Sequence, residues 1–315
     1  MFEPTPMQRN TDGPVIGLAL GSGAARGWAH LGVLRGLARE GIEPQIVCGC
    51  SIGAFVGAAL ASGDLAKLTE WAESLKWQDV VSLLDVSLRG GLIKGQKLIQ
   101  FFERNFVDRD FSQLDRRFAC VATELQTGRE IWLREGSVAR AVRASIALPG
   151  LLTPVLRNGR LLVDGGLVNP VPVSLCRAMG AEIVIAVDLG SDVVGKSWRP
   201  SPGDDEESSN GWTERLFARL GLFANGANGG GRNGQQAAVD EDLPSLMTVL
   251  TSSINIMQVR IARSRLAGEP ADVQISPRVA HLGTMDFHRA REAIVEGEAA
   301  VAAMLPALRY ALSHR

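Results

Sequence analysis

Gly49-Cys50-Ser51-Ile52-Gly53 joins an apolar run, Ile46–Cys50, to a run of small residues, Ile52–Ala61. The first run reads as a buried strand, the second as a helix able to pack closely on a sheet. A serine at such a strand–turn–helix junction is lifted out of the sheet, as in a nucleophile elbow. Gly49 and Gly53 keep the flanks of the tight turn free of bulk. Taken alone, the pentapeptide is also compatible with a plain packing turn. A second junction upstream changes the balance. Gly21-Ser22-Gly23-Ala24-Ala25-Arg26-Gly27 follows another apolar strand, Val15–Leu20, and leads into a helix over Ala24–Glu40 with Leu31, Leu34 and Leu37 on one face. Backbone N–H groups of Gly21, Ser22, Gly23 and Ala24, at a helix start, can hold an oxyanion. Arg26 supplies positive charge for a phosphate head group or a brace for the loop. One segment offers a nucleophile and the other offers donors, and together they describe acyl transfer.

Glycine-rich strand-to-helix turns also cradle dinucleotide phosphates. That use wants an acidic residue at the end of the second strand. Glu43 precedes the strand, and the strand ends in Ser51. The segment Pro44–Gly63 is uncharged and carries Gly49, Gly53 and Gly57 at four-residue spacing, which imitates a membrane span. Pro44, the polar positions and the change from β-branched to Ala-rich composition favour a buried strand followed by a helix.

Further elements continue the alternation. Helices are expected over Leu65–Trp77, Lys94–Phe106 and Val138–Ile146. Hairpins are expected over Arg117–Glu124 with Glu130–Arg134, turning at Gln126-Thr127-Gly128, and over Leu151–Leu156 with Leu161–Val163, turning at Asn158-Gly159. Ile183–Leu189 is another buried strand. Strand–helix alternation predicts an α/β fold: three layers, with a mostly parallel sheet covered by helices on both faces. Composition then shifts. Residues 191–242 hold Asp204-Asp205-Glu206-Glu207-Ser208-Ser209 and Asn228-Gly229-Gly230-Gly231-Arg232-Asn233-Gly234. Such a segment buries too little apolar surface to offset chain entropy, so it is expected to be a disordered insertion. Trp212–Phe223 within it is amphipathic and suited to a membrane surface, a lid or a transient packed helix. A helix over Leu243–Leu266, a strand over Val273–Ser276 and a last helix from about Asp286 to Leu312 complete a single domain over 15–315, after a flexible N-terminus at 1–14.

The chain has 315 residues with 46% hydrophobic, enough for a large core. Its net charge of -1 gives no electrostatic basis for a nucleic-acid partner. Met1–Pro14 is polar and lacks the apolar stretch of a secretory leader, so a cytoplasmic location is expected. Cys48, Cys50, Cys120 and Cys176 form no CxxC pair and read as reduced, buried thiols. No metal or cofactor is called for. The apolar faces of the two C-terminal helices fit either core or dimer surface.

A serine hydroxyl needs a base. His30 lies in the helix after the glycine loop. His281, His288 and His314 lie near the end without a clear strand-to-loop setting. The better candidate is Asp164 in Leu161-Leu162-Val163-Asp164-Gly165-Gly166. It ends a buried strand, and Gly165 and Gly166 leave its carboxylate accessible. Partial burial beside a serine raises a carboxylate toward a useful base. By itself, Asp-Gly-Gly is more often a plain turn.

Taken together, the glycine-rich loop, Gly-x-Ser-x-Gly and Asp-Gly-Gly, in this order, resemble the patatin-like phospholipases. Gly17–His30, Ala144-Ser145-Ile146-Ala147-Leu148-Pro149-Gly150 and Asp164-Gly165-Gly166-Leu167-Val168-Asn169-Pro170 look like the bacterial RssA-type subgroup, related to the neuropathy target esterase domain. The resemblance covers about Val15–Leu189. It implies a three-layer α/β/α fold and a Ser51–Asp164 dyad without histidine. It also implies hydrolysis of fatty-acyl esters of phospholipids, lysophospholipids or related lipids, with peripheral contact at the inner membrane face. The family's oxyanion loop is commonly a run of glycines, and Ser22 and Ala24 depart from it. Ala24 donates its N–H freely at negative φ, but a positive φ costs about 1 kcal/mol or more. Those departures and the insertion motivate the alternative of a lipid-binding or regulatory module with little turnover.

Overall fold

The computed structural model describes residues 13–76, 78–80, 96–105, 109–192 and 246–313. The polar segment expected to be an insertion lies outside them save for Ser191 and Asp192. So do the Trp212–Phe223 stretch and the first twelve residues. Eight strands form one mixed sheet, α/β in class. They are β1 (Ile16–Leu20), β2 (Ile46–Cys50), β3 (Arg117–Glu124), β4 (Glu130–Leu133), β5 (Val155–Arg157), β6 (Arg160–Asp164), β7 (Ile183–Val187) and β8 (Val273–Ile275). The order is β5-β6-β3-β2-β1-β7-β8, with β4 on β3. Pairings β3–β2, β2–β1, β1–β7 and β7–β8 are parallel, whereas β4, β5 and β6 add antiparallel pairs.

The central strands β1, β2 and β7 are apolar and buried throughout because both faces are covered. Alternate residues feed two cores. Leu18, Leu20, Val47, Ile185 and Val187 face one core with α1 (Ala29–Arg39), α2 (Ile52–Ala61), α3 (Leu65–Ser74), α5 (Val138–Ser145) and α8 (Ala290–Ser313). Ala19, Ile46, Cys48, Val184 and Ala186 face the other, with α6 (Val173–Ala178) and Ala262 of α7 (Leu246–Gly268). A further helix, α4 (Gln96–Asn105), places Ile99 and Phe102 in the first core. All four cysteines are buried and free. No described helix is long and apolar enough to cross a membrane.

Local departures have non-local causes. The stretch expected as one helix over Ala24–Glu40 starts as a 3-10 turn over Ala24–Trp28 and becomes α-helical at Ala29. Its tighter start lets the Ala25 N–H donate to Thr284 O at 3.1 Å. Leu151 and Leu152 do not join the hairpin, since their N–H groups donate back to Leu148 O. The Asn158-Gly159 turn itself forms, with φ of 51° and 76°. The last helix begins at Ala290, after a 3-10 turn over Phe287–Arg289.

Helices α1 and α8 cross at glycines. A Cβ on Gly32 would overlap the carbonyl of Ile294, and one on Gly297 would overlap that of Ala29. Backbone lies on both sides, so neither helix can give way without losing core contacts. Gly32→Ala is expected to lower unfolding stability by roughly 1–3 kcal/mol through overpacking. Urea unfolding measures this.

Candidate active site

Ser51 follows β2 with φ 55° and ψ -122° and caps the N-terminus of α2. A non-glycine residue there costs roughly 1–3 kcal/mol, so the surroundings must impose it. They do so through Ser145. The Ser51 N–H donates to Ser145 Oγ at 2.9 Å, and that hydroxyl donates to Val121 O at 2.7 Å. Ser145 is wholly buried at the end of α5. Gly53 lets α2 approach the end of β1, where a Cβ would strike the carbonyl of Leu20. Gly49 lies as close to Ala54.

Asp164 closes β6, paired with Ala122 of β3. Its own backbone is pinned on two sides. The Asp164 N–H donates to Ala147 O at 2.9 Å, and Thr123 Oγ1 donates to Asp164 O at 2.8 Å. Gly165 then passes over Val121 and Cys50, where a Cβ would lie 3.1 Å from Cys50 Sγ. The carboxylate reaches the elbow: Ser51 Oγ donates to Asp164 Oδ2 at 2.6 Å, across 113 positions of sequence. Asp164 Oδ1 accepts from the Gly166 N–H at 2.7 Å. Burial raises the Asp164 carboxyl from 3.8 to about 6, although both hydrogen bonds pull it down. Burial also raises the Cys50 thiol well above its ordinary range, with the Asp164 charge adding to the rise. Cys50 therefore stays protonated beside the hydroxyl.

The glycine loop divides into two parts. Gly21 N–H donates to Val187 O at 3.0 Å and Ser22 N–H to Pro170 O at 2.9 Å. These two amides are committed to the fold, which corrects the expectation that all four point to an oxyanion. Gly23 and Ala24 N–H have no internal partner among the described residues. Ala24 has φ 50°, the strained alternative, at a cost of roughly 1–2 kcal/mol. Arg26 braces the loop: its Nε donates to Leu282 O at 2.8 Å. Burial lowers its pKa, while Asp192 and Asp286 act in the opposite direction. Trp28 Nε1 adds a bond to Phe287 O at 3.0 Å.

His30 is buried, with Nε2–H donating to Gly21 O at 2.8 Å, and burial lowers its pKa to about 4. It is a neutral strut under the loop. No second acid and no histidine contacts the Ser51 hydroxyl among the described residues. Sequence reasoning gave no role to Ser145, nor to Gln258 of α7. Gln258 Oε1 lies 3.4 Å from Ser22 Oγ, and its amide fills the space beside Gly166. Ser145 carries a weak signal, since it sits within the Ala144–Gly150 motif. Gln258 carries none.

The patatin-like phospholipase profile matches residues 18–177, about half of the chain. An uncharacterized NTE family protein of Mycobacterium bovis is 31% identical over 328 residues, covering 92% of this chain and 91% of that protein. The chain belongs to the patatin-like phospholipase family. Human patatin-like phospholipase domain-containing protein 6 is 36% identical over 193 residues, 59% of this chain but 14% of that protein. VipD from Legionella pneumophila shares the fold, with a TM-score of 0.54 at 15% identity, over 94% of this chain and 67% of VipD. Ser51 and Asp164 both lie within the matched region.

The raised Asp164 pKa sets a sign. Between about pH 4 and 6 the folded state binds the proton that the unfolded chain has released, so stability falls as pH rises through this window. At about 1.4 kcal/mol per pKa unit, the rise from 3.8 to about 6 corresponds to about 3 kcal/mol. Asp164→Asn keeps an acceptor for Gly166 and removes the buried charge. It is expected to melt higher than wild type at pH 8, with the advantage vanishing below about pH 4. Calorimetry across that range checks it.

Proposed function

We propose that the protein is a serine acyl-hydrolase acting on fatty-acyl esters of phospholipids, lysophospholipids or related lipids. Asp164 Oδ2 takes the proton of Ser51 Oγ as the oxygen attacks the ester carbonyl. The amides of Gly23 and Ala24 hold the oxyanion of the tetrahedral intermediate. The protonated Asp164 then returns the proton to the departing alcohol, leaving an acyl-enzyme on Ser51. Water, deprotonated by Asp164, attacks the acyl carbonyl. Fatty acid leaves, and Ser51 recovers its proton. Gly21, Ser22, Arg26 and His30 hold the donor loop in place. The scheme uses no metal.

The observation that carries this reading is the 2.6 Å Ser51–Asp164 contact at a buried carboxylate whose pKa is displaced to about 6. The family supports the lipid class of the substrate. Such substrates sit in bilayers or micelles, so the protein works at a membrane surface, on the cytoplasmic side.

A second reading rests on Ala24. Its positive φ makes the donor geometry of the loop costly to hold, which suits a lipid-binding or regulatory module with little turnover. Both readings meet in one assay. Wild type, Ser51→Ala and Asp164→Asn are compared on a panel of phospholipids and lysophospholipids. Loss of about a thousandfold or more in each variant is expected for the hydrolase. Equal near-background rates in all three, with lipid binding retained, select the module.

A further inference from the structure

Helix α7 is apolar on both faces, yet only one face is packed. Gln258, Val259 and Ala262 turn inward. They border the cleft beside Ser22 and Gly23, and α7 contacts the turn Gly165–Leu167 that follows Asp164. On the opposite face, Val249, Leu250, Ile256 and Met257 are 44–53% exposed. These positions recur at helical spacing and form one stripe together with Ser253 and Arg260. An amphipathic helix of a water-surrounded protein puts charge there. This helix puts methyl and thioether groups there, with Arg260 as the one charge in the stripe.

Its charges have one sign. Arg260, Arg263 and Arg265 occupy its C-terminal half, and no Asp or Glu occurs between Leu246 and Gly268. Arg265 faces inward to Glu130 at 2.9 Å, whereas Arg260 and Arg263 are exposed. The outer stripe thus joins apolar side chains to a cationic one, Arg260, and an anionic bilayer surface has a partner for each: the acyl boundary for the first and phosphate for the second.

We infer that the outer face of α7, centred on Ile256 and Met257 and flanked by Arg260, docks on an anionic phospholipid surface and holds the adjacent Ser22–Gly23 cleft at the lipid. This deepens the proposed function and rests on it for the nature of the substrate. The helix couples the two faces directly, since Gln258 lies one residue from Met257 and touches both the donor loop and the acid turn.

Vesicle flotation tests the docking surface without turnover when all variants carry Ser51→Ala. Phosphatidylcholine vesicles are used with and without phosphatidylglycerol. Ser51→Ala protein is expected to float with the anionic vesicles, and high salt is expected to weaken the binding. Ile256→Ser with Met257→Ser should reduce binding by about tenfold or more, and Arg260→Gln should reduce it for anionic vesicles alone. Unchanged thermal unfolding shows that these exposed substitutions leave the fold intact. Absence of flotation by the parent protein, or flotation unchanged by the substitutions, overturns the inference. So does a dimer in sedimentation velocity that the double substitution converts to monomer without altering flotation, because a second copy then covers the face. None of these outcomes bears on the Ser51–Asp164 chemistry, which the hydrolysis assay tests separately.

Discussion

A carboxylate held out of water against a serine hydroxyl is the constraint around which this structure is arranged. Asp164 is 1% exposed and accepts one O–H and one N–H bond, from Ser51 and Gly166. Desolvation makes it basic, and the two bonds keep it oriented. The cost of that burial must be met elsewhere. The sheet meets it by fixing both ends of the pair. Ala122 and Thr123 of β3 pair with β6 around Asp164, and Val121 of β3 accepts from Ser145, which in turn holds the Ser51 N–H. One central strand therefore sets the separation of Ser51 and Asp164. The strained backbone at Ser51 persists because this network and the close seat of α2 leave no alternative.

The donor loop is built by the same economy. Every backbone N–H must find a partner or face solvent or ligand. Gly21 and Ser22 spend theirs on Val187 and Pro170, which anchors the loop to β7 and to the segment after Asp164. Ala25, Arg26 and Trp28 tie the loop to residues 282–287. Gly23 and Ala24 are what remains. A loop fastened at both ends with two free amides between them is stiff, which is what oxyanion stabilisation requires.

Much of this was legible in the sequence. The two apolar runs ending at Leu20 and Cys50 are parallel neighbours, and the elbow stands at the C-terminal edge of the sheet, where active sites of open α/β folds collect. Asn158-Gly159 turned its hairpin because both residues accept positive φ. Elimination of the histidines and the two following glycines single out Asp164 as the candidate base, and the structure places its carboxylate at Ser51 Oγ. Other features depended on contacts between distant segments. The bonds of Gly21 and Ser22 depend on residues more than a hundred positions away, Val187 of β7 and Pro170 in the segment after Asp164. The 3-10 start at Ala24 answers to Thr284. Leu151 and Leu152 are strand-like in composition but fold back on Leu148. The place of Ser145 depends on its two partners, Ser51 and Val121, which lie on other elements. Apolar periodicity marked α7 as a helix without distinguishing its packed face from its bare one.

The central claim is that Asp164 is the base for Ser51, and the pH dependence of serine modification tests it most directly. A fluorophosphonate forms its adduct through the same attack by Ser51 Oγ. The account predicts a single adduct on Ser51, with a rate that climbs through a midpoint near pH 6, the displaced Asp164 pKa. A rate that stays level down to pH 4, or an adduct on any other residue, would contradict it.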